Sequence, residues 1–317
     1  MSPPRVIAAA WPNPRLQRTR SAPLRSPLSR KSLDIFLMPD LTNLYDPNFV
    51  AKYFDDFGER EWARLVNTPA DEIKLHIHSH YLEQYIGQGS LVLDIGAGAG
   101  RFTQILVNLG ATVVVADISH HQLELNKRFA NEFHFAHAVK DWLQLDICDM
   151  SVLADQTFDA VVCYGSPLGY VFEKKDEALR EVLRVLKSGS NAFLSVSSLW
   201  GSIHELLPAV LTVSGEKNAE IIRTGDLYFD ESEGLRHRCH LFRANEFREF
   251  LEAHGVSILN LSASNCISTS WGETLKPIRE DLVRWDELLK MELEACRQPG
   301  CLDMGTHILA VVEKPSI

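Results

Sequence analysis

Apolar runs rich in β-branched residues alternate with helical patterns along most of this 317-residue chain. Such continuous runs are typical of strands buried on both faces of a sheet. Between two of them, Leu179, Val182, Leu183 and Leu186 show the spacing of one face of an amphipathic helix. This alternation predicts an α/β fold around a parallel sheet. The predicted strands include residues 91–95, 111–117, 158–165, 191–197, 257–263 and 307–313.

The strongest local signal follows the first predicted strand. An apolar run ends near an acid, and three glycines follow at every second position: Gly96, Gly98 and Gly100. Such a segment turns sharply from strand into helix and leaves bare backbone against which a ligand can lie. The next strand also ends in an acid, Asp117. Because open α/β sheets bind ligands at the carboxyl ends of their strands, a nucleoside site is expected there.

Two cofactor classes use a site of this kind, and the glycine spacing distinguishes them. A dinucleotide fingerprint places its third glycine at the position that Arg101 occupies here. Asp94, two residues before the first glycine, would repel a pyrophosphate but suits a cationic amino acid. The pattern therefore favours a nucleoside that carries a cationic amino acid, with an NAD site and a ligand-free glycine turn as the alternatives.

From Asp94 to Asp117 the chain closely resembles the first motif of class I S-adenosylmethionine-dependent methyltransferases. Weaker resemblance extends over about residues 45–314, closest to uncharacterised bacterial small-molecule methyltransferases. It implies a doubly wound, seven-stranded, mostly parallel α/β sheet with an antiparallel last strand and an N-terminal helical lid. It also implies S-adenosylmethionine as cofactor and S-adenosylhomocysteine as product.

The resemblance assigns roles to particular residues. Gly96 to Gly100 would line the methionine part of the cofactor, and Asp117 would accept hydrogen bonds from the ribose hydroxyls. Asp146 would contact the adenine amino group, with Ile147 beside the ring. The complete expected cofactor set is Asp94, Gly96, Ala97, Gly98, Gly100, Asp117, Ile118, Asp146, Ile147, Cys163 and Tyr53. For Cys163, a buried structural thiol is the competing interpretation.

The N-terminal part divides into two predicted segments. Residues 1–37 carry seven Lys or Arg, one acid and six of the fourteen prolines, which predicts a disordered basic tail. Residues 38–88 are predicted to form a helical lid, and residues 89–317 a Rossmann-like core with an acceptor-region insertion at about 200–240.

The lid prediction depends on an aromatic helix. At helical spacing, Tyr53, Phe57 and Arg60 share one face, and Trp62 follows. The rings would cap the site and exclude water, and Arg60 would meet a carboxylate. Simple packing of the helix against the core is the alternative. In the next helix His76 and His80 share a face without a nearby acid, so no metal site is expected.

The sequence excludes some classes of methyl acceptor. The place after the fourth strand lacks the Asn/Asp-Pro-Pro-Tyr/Phe motif of base and glutamine methylation, and no Pro-Cys dipeptide occurs. A small-molecule acceptor with oxygen, nitrogen, sulfur or activated carbon remains. Candidate bases are His204, His237 and His240, with Tyr164 as an orienting hydroxyl. Asn265 and Trp271 lie where acceptor pockets often form.

Composition narrows the function classes. Without the tail, the chain has 25 basic and 41 acidic residues, a net charge of −16 that would repel a phosphate backbone. No apolar run reaches the length of a membrane span. Six cysteines without a C-x-x-C pair indicate a reducing compartment and no structural zinc. We therefore predict a cytoplasmic, monomeric or homodimeric small-molecule methyltransferase. A cofactor-binding regulatory pseudoenzyme and an NAD-dependent oxidoreductase are the alternatives.

Overall fold

A seven-stranded sheet forms the centre of the computed structural model, which describes residues 43–228 and 237–316. The strands are β1 (Leu91–Ile95), β2 (Thr112–Asp117), β3 (Val139–Gln144), β4 (Phe158–Cys163), β5 (Leu186–Ser197), β6 (Asp226–Leu227), β7 (Cys239–His240), β8 (Ser257–Ala263) and β9 (His307–Glu313). The large sheet has the order β3-β2-β1-β4-β5-β9-β8, and β6 pairs only with β7.

Helices cover both faces of the sheet. They are α1 (Pro47–Phe57), α2 (Arg60–Ala63), α3 (Pro69–Tyr85), α4 (Arg101–Asn108), α5 (His120–Glu132), α6 (Pro167–Tyr170), α7 (Lys175–Val185), α8 (Leu199–Val210), α9 (Gly215–Thr224), α10 (Ala244–Ala253), α11 (Lys276–Glu280) and α12 (Leu282–Ala295). Short 3₁₀ turns occur at Ala136–Ala138, Phe172–Lys174, Gly272–Leu275 and Pro299–Cys301. Within the described residues, no helix has both the length and the apolar character needed to cross a membrane.

The predicted fold class is confirmed. Strands β3, β2, β1, β4 and β5 pair in parallel, whereas β9 runs antiparallel to both β5 and β8. Alternate side chains supply two apolar layers, with Leu93 and Val114 on one face and Val92 and Val113 on the other. After β3 the chain crosses back to the other side of β1, so the strand order reverses between β1 and β4. A ligand crevice is expected at such a reversal.

One predicted turn lies inside a strand. Residues 187–190 were expected to separate α7 from a strand that begins at Asn191, but β5 already begins at Leu186. The register explains the difference, because Phe158 lies opposite Leu186 while Ala160 lies opposite Asn191. The extra residues bulge out of the ladder, and Gly189 adopts a left-handed φ of 72°.

The N-terminal segment has three helices instead of the expected two. Gly58, with a φ of 58°, ends α1, and the short α2 begins two residues later. The common helical face predicted for Tyr53, Phe57 and Arg60 is therefore interrupted. The predicted tail at residues 1–37 lies outside the described residues, as do residues 229–236 of the segment predicted as the acceptor-region insertion.

Residues 199–241, which include the segment predicted to be an acceptor-region insertion, have a small apolar core of their own. Helices α8 and α9 and the β6–β7 pair bury Leu199, Val210, Ile221, Leu227 and Cys239 against one another. This core gives the insertion a defined shape beside the sheet. It also fixes the position of α8, whose N-terminus follows directly from β5.

A glycine in α8 tests this packing. A Cβ at Gly201 would lie 1.7 Å from the carbonyl oxygen of Gly305, in the segment before β9. Because backbone has to move to relieve this clash, we expect Gly201→Ala to destabilise the protein by about 3 kcal/mol. At Gly215, in α9, a Cβ meets nothing within 4 Å. Gly215→Ala should leave stability unchanged or raise it by about 0.5 kcal/mol. Urea unfolding measures both variants, and equal shifts in midpoint would contradict this account.

Candidate active site

A cavity of about 470 Å³ opens at the carboxyl ends of β1, β2 and β4. Helices α1, α2 and α3 cover one side of it, and α8 and the β6–β7 region cover another. Its volume lies in the range of roughly 300–1,000 Å³ that is usual for small-molecule sites. The cavity has a polar part at the strand ends and an aromatic part beneath α1.

The glycine loop, residues 96–100, forms the floor of the polar part. Gly96 and Gly98 have φ values of 69° and 53° and line the cavity. A Cβ at Gly96 would lie 2.6 Å from Cγ of Pro167, and one at Gly98 would lie 2.9 Å from Cγ of Glu61. Glycine is therefore required by both backbone conformation and space.

Gly100 has a different role from the one expected. It lies outside the cavity wall formed by the described residues, at the N-terminus of α4. A Cβ there would lie 2.8 Å from Nδ2 of Asn126, so Gly100 permits close packing of α4 against α5. Asn126 itself is fully buried and donates to the carbonyl oxygen of Gly98 (3.2 Å), which helps to hold the loop.

Asp117 lies beside the loop at the end of β2 and lines the cavity. Its Oδ2 accepts a hydrogen bond from the Gly98 amide and its Oδ1 one from the Ser119 amide, each at 2.8 Å. Burial raises the pKa of this carboxyl to about 6. Each oxygen has a second lone pair, so Asp117 can still accept hydrogen bonds from a ligand.

Asp94 lies behind the loop instead of in the cavity wall. It is 2% exposed and accepts a hydrogen bond from the Thr103 hydroxyl at 2.7 Å. Burial, and to a smaller extent the nearby Asp117 carboxylate, raise the pKa of Asp94 to about 7. Its side chain is directed toward Thr103 of α4, so the arrangement holds Asp94 behind the glycine loop and its contact with a ligand stays a prediction.

A second acid, Asp146, lines the cavity together with Ile118 and Ile147. Its Oδ1 accepts the Cys148 amide and its Oδ2 accepts the Tyr45 hydroxyl, each at 2.8 Å. Tyr45 was not among the predicted site residues, because its position next to Asp146 arises from a contact across 101 residues.

An ion pair between Glu61 and Arg64 lies above the glycine loop. Arg64 Nε is 3.0 Å from both oxygens of Glu61, and its NH2 is 2.8 Å from Oε1. Glu61 contacts the Gly98 position, and Arg64 NH2 would lie 3.5 Å from a Cβ at Gly165. The pair therefore spans from the end of β1 to the end of β4.

The cation expected at this place was Arg60, and that prediction is wrong. Arg60 donates to the carbonyl oxygens of Phe57 and Asp56, each at 2.9 Å, and lies over the Phe57 ring. It thus closes the C-terminal end of α1 at an exposed position. The break at Gly58 changes the helical phase and brings Arg64 to the cavity instead.

Four rings form the aromatic part, here called the aromatic chamber: Tyr53, Phe54, Phe57 and Tyr170. Tyr170 packs edge-on against Phe54 with a centroid distance of 5.1 Å. Trp62, which was expected to cap the site, lies outside it. Its ring stacks on Phe129 and Phe133 with centroid distances of 4.4 and 5.0 Å, and the Arg101 guanidinium also lies over this ring.

Among the candidate bases, His237 reaches the cavity wall. Its Nδ1 lies 2.9 Å from the Tyr53 hydroxyl and its Nε2 lies 3.3 Å from Sγ of Cys239. Burial lowers the pKa of His237 to about 4. Tyr164 also lines the cavity, and its buried hydroxyl has no hydrogen-bond partner among the described residues.

Three other candidates lie elsewhere. His240 bridges Asp226 and Glu246 (2.7 Å each) behind the cavity wall. His204 is on the exposed side of α8, where its Nε2 lies 2.9 Å from the Ser270 hydroxyl. Cys163 is fully buried in the core, so the structural interpretation of this thiol holds.

The remaining candidates are also outside the chamber. Asn265 is fully buried and accepts from the Thr306 amide, and Trp271 is 58% exposed. His76 and His80 belong to no cluster of metal-ligating side chains within the described residues.

The buried charge of Asp94 generates a prediction about pH. The pKa of Asp94 is raised to about 7 in the folded protein. Protonated Asp94 therefore makes its full contribution to the free energy of unfolding below about pH 4, and this contribution is lost as the pH rises through 7. Asn in its place can still accept from the Thr103 hydroxyl but carries no charge. We expect Asp94→Asn to raise the melting temperature clearly at pH 8 and by a smaller amount at pH 5. Melting curves without cofactor over this range measure the difference, and parallel curves for the two proteins would refute the buried-charge account.

Comparison with known proteins agrees with this geometry. The methyltransferase domain family model matches residues 93–194. A demethylmenaquinone methyltransferase of Paenarthrobacter aurescens (strain TC1) is 28% identical over 201 residues, covering 55% of this chain and 70% of that protein. Other methyltransferase-named relatives are matched over only 18 to 59% of their own length.

Solved structures share the fold. A SAM-dependent methyltransferase from Methanosarcina mazei superposes with a TM-score of 0.51 at 16% identity, covering 75% of this chain and 98% of that one. Magnesium protoporphyrin IX methyltransferase from Synechocystis PCC 6803, solved with bound SAM, gives 0.52 at 14% identity and covers 86% and 99%.

These matches do not favour an NAD-dependent oxidoreductase. The family match covers the glycine loop, Asp117 and Asp146, which are the elements that form the polar part of the cavity. Together with the sheet order, it identifies residues 93–194 as a methyltransferase domain of the class I S-adenosylmethionine-dependent type.

Proposed function

We propose that this methyltransferase acts on a small molecule held in the aromatic chamber. The observation that carries the proposal is that one cavity joins the acid-bearing strand ends to the aromatic chamber. A volume of about 470 Å³, covered by α1 and the insertion, suits small ligands better than a macromolecular surface. A relative matched over 70% of its own length is named for demethylmenaquinone methylation, which supports a small acceptor.

The polar part fits the cofactor. S-adenosylmethionine, when bound, supplies an electrophilic methyl group on a sulfonium. Asp117 would hold the ribose hydroxyls, since its buried oxygens keep free lone pairs on the cavity side. Asp146, Ile147 and Ile118 would hold the adenine. Gly96 and Gly98 leave the backbone bare where the amino-acid part would lie.

Glu61 and Arg64 complete the proposed cofactor site. An α-amino acid presents a carboxylate and an ammonium group together, and this ion pair offers one partner for each. Both side chains line the cavity directly above the glycine loop. Charge-assisted hydrogen bonds are the stronger class, so exchange of the internal pair for ligand contacts can proceed without leaving a buried charge unpaired.

Helix α1 would act as the lid. Gln122 Nε2 donates to the carbonyl oxygens of Phe54 and Gly58 at 2.9 and 3.1 Å, and the Ser119 hydroxyl donates to Asp55 at 2.5 Å. These contacts attach α1 to the start of α5, immediately after Asp117. A few polar contacts hold α1 against the core, so it can open for ligand exchange at modest cost. Closure excludes water and supports in-line methyl transfer.

Calorimetric titration with S-adenosylhomocysteine and with NAD tests the cofactor assignment. We expect S-adenosylhomocysteine to bind, NAD not to bind, and Asp117→Asn to weaken binding at least tenfold, because charge-assisted bonds contribute about 1.5–3 kcal/mol each. Asp141→Asn is the matched control, since Asp141 is exposed on neighbouring β3. Unchanged affinity in Asp117→Asn, or equal loss in both variants, would remove Asp117 from the site.

Hydrogen exchange tests the lid. Without ligand, amides of α1 should exchange faster than those of Val92 and Val114, which are buried in the central sheet. Added S-adenosylhomocysteine should slow exchange in residues 47–57, because a bound ligand favours the closed position. Helix α12, far along the chain and on the outer layer, provides the internal reference. If α1 exchanges equally with and without ligand, it packs permanently and is not a lid.

A further inference from the structure

Tyr53 and His237 form a polar pair within the otherwise apolar aromatic chamber. Tyr53 belongs to α1, and His237 precedes β7, 184 positions later in the chain. Nδ1 of His237 lies 2.9 Å from the hydroxyl oxygen of Tyr53. The His237 ring also packs edge-on against Tyr53 and Tyr170, with centroid distances of 5.4 and 5.6 Å. Burial of polar groups among aromatic rings is unfavourable unless they are hydrogen-bonded. The contact between Tyr53 and His237 gives each of the two side chains a hydrogen-bond partner.

The contacts define the protonation state of His237. Because a phenol is a better hydrogen-bond donor than a thiol, we assign the Tyr53 O–H as the donor to Nδ1 and the Nε2–H as the donor to Sγ of Cys239. The lowered pKa of His237 leaves the ring neutral at physiological pH. Its Nδ1 lone pair is thus directed at Tyr53, and the lone pairs of the Tyr53 oxygen are available to a group in the cavity.

We propose that Tyr53 and His237 form a proton relay and that the acceptor is therefore a hydroxyl compound, an inference that rests on the proposed function. The acceptor hydroxyl donates its proton to the Tyr53 oxygen while Tyr53 passes its own proton to Nδ1 of His237. The acceptor oxygen uses the freed electron pair to bond the methyl carbon. The carbon–sulfur bond breaks with its pair on sulfur, which leaves S-adenosylhomocysteine, the methyl ether and an imidazolium.

The charge balance favours this arrangement in a buried site. The sulfonium charge disappears as the imidazolium charge appears, so the cavity neither gains nor loses net charge. Creation of a new buried charge would be costly, and the relay avoids it. Thiols and carbon acids that ionise near neutral pH need no base of this kind, whereas a hydroxyl does.

Turnover with a panel of small hydroxyl, amine, thiol and carbon-acid compounds tests the acceptor class. We expect release of S-adenosylhomocysteine from the hydroxyl compounds. Tyr53→Phe and His237→Gln should each lower kcat at least about 100-fold, with S-adenosylhomocysteine affinity within twofold of the wild type. Among hydroxyl acceptors, the decrease in kcat of these two variants should become smaller as the acceptor becomes more acidic, because an ionised oxygen needs no proton relay.

His237→Asn separates proton transfer from simple positioning. An amide can still hydrogen-bond Tyr53 near the Nδ1 position but cannot take up its proton, so this variant should fold normally and remain slow. His137→Gln and Tyr85→Phe are matched controls at exposed positions and should keep wild-type rates. Nitrogen NMR of histidine-labelled full-length protein should show Nδ1 of His237 as a hydrogen-bond acceptor that loses its partner in Tyr53→Phe.

Two results would overturn the relay. The first is turnover of amines, thiols or carbon acids with hydroxyl compounds inert. The second is hydroxyl turnover that survives both Tyr53→Phe and His237→Gln. Failure of S-adenosylhomocysteine to bind the wild-type protein would instead contradict the proposed cofactor site, so the two failures are distinguishable.

Discussion

The hydrogen bond from the Gly98 amide to the Asp117 carboxylate is the contact on which the rest of the site depends. It ties the turn after β1 to the end of β2. The Gly96 and Ala97 amides reinforce it by donating to the carbonyl oxygen of Ala116. This turn is possible because Gly96 and Gly98 adopt left-handed conformations without a side chain in the way. The loop therefore stays open on its cavity side and places a buried acid at its edge.

Several long-range contacts close the cavity that this turn opens. Glu173 accepts the backbone amides of Leu44 and Tyr45 at 3.1 and 3.2 Å, and Tyr45 in turn donates to Asp146. At the opposite end Lys74 of α3 lies 2.9 Å from Glu205 of α8, with Asp71 as its second partner. Separating Lys74 from its carboxylate partners would leave a buried charge unpaired, which is costly. The ion pair therefore fixes the position of α3 relative to α8.

The insertion positions the chamber through His240. This histidine bridges Asp226 in β6 and Glu246 in α10, and these carboxylates raise its pKa despite its burial. The bridge anchors the short β6–β7 pair, three residues from His237. A residue expected to act as a base thus serves to hold another candidate base in place. Two neighbouring histidines differ in role because one is paired with carboxylates and the other faces aromatic rings.

Local sequence determined the fold class and the polar part of the site. The apolar runs gave the strands, and the glycine spacing with Asp94 and Asp117 indicated the cofactor class, because backbone conformation and strand burial follow from residues a few positions apart. Even there, the bulge in β5 and the position of Asp94 behind the loop depended on neighbouring strands. Tertiary structure alone decided the aromatic chamber. Tyr45, Arg64 and the Tyr53–His237 pair reach the cavity through contacts between residues 100 or more apart, or through the change of helical phase at Gly58. The periodicity of one segment does not predict which distant side chains will contact that segment. Those contacts depend on how the helices pack over the complete sheet.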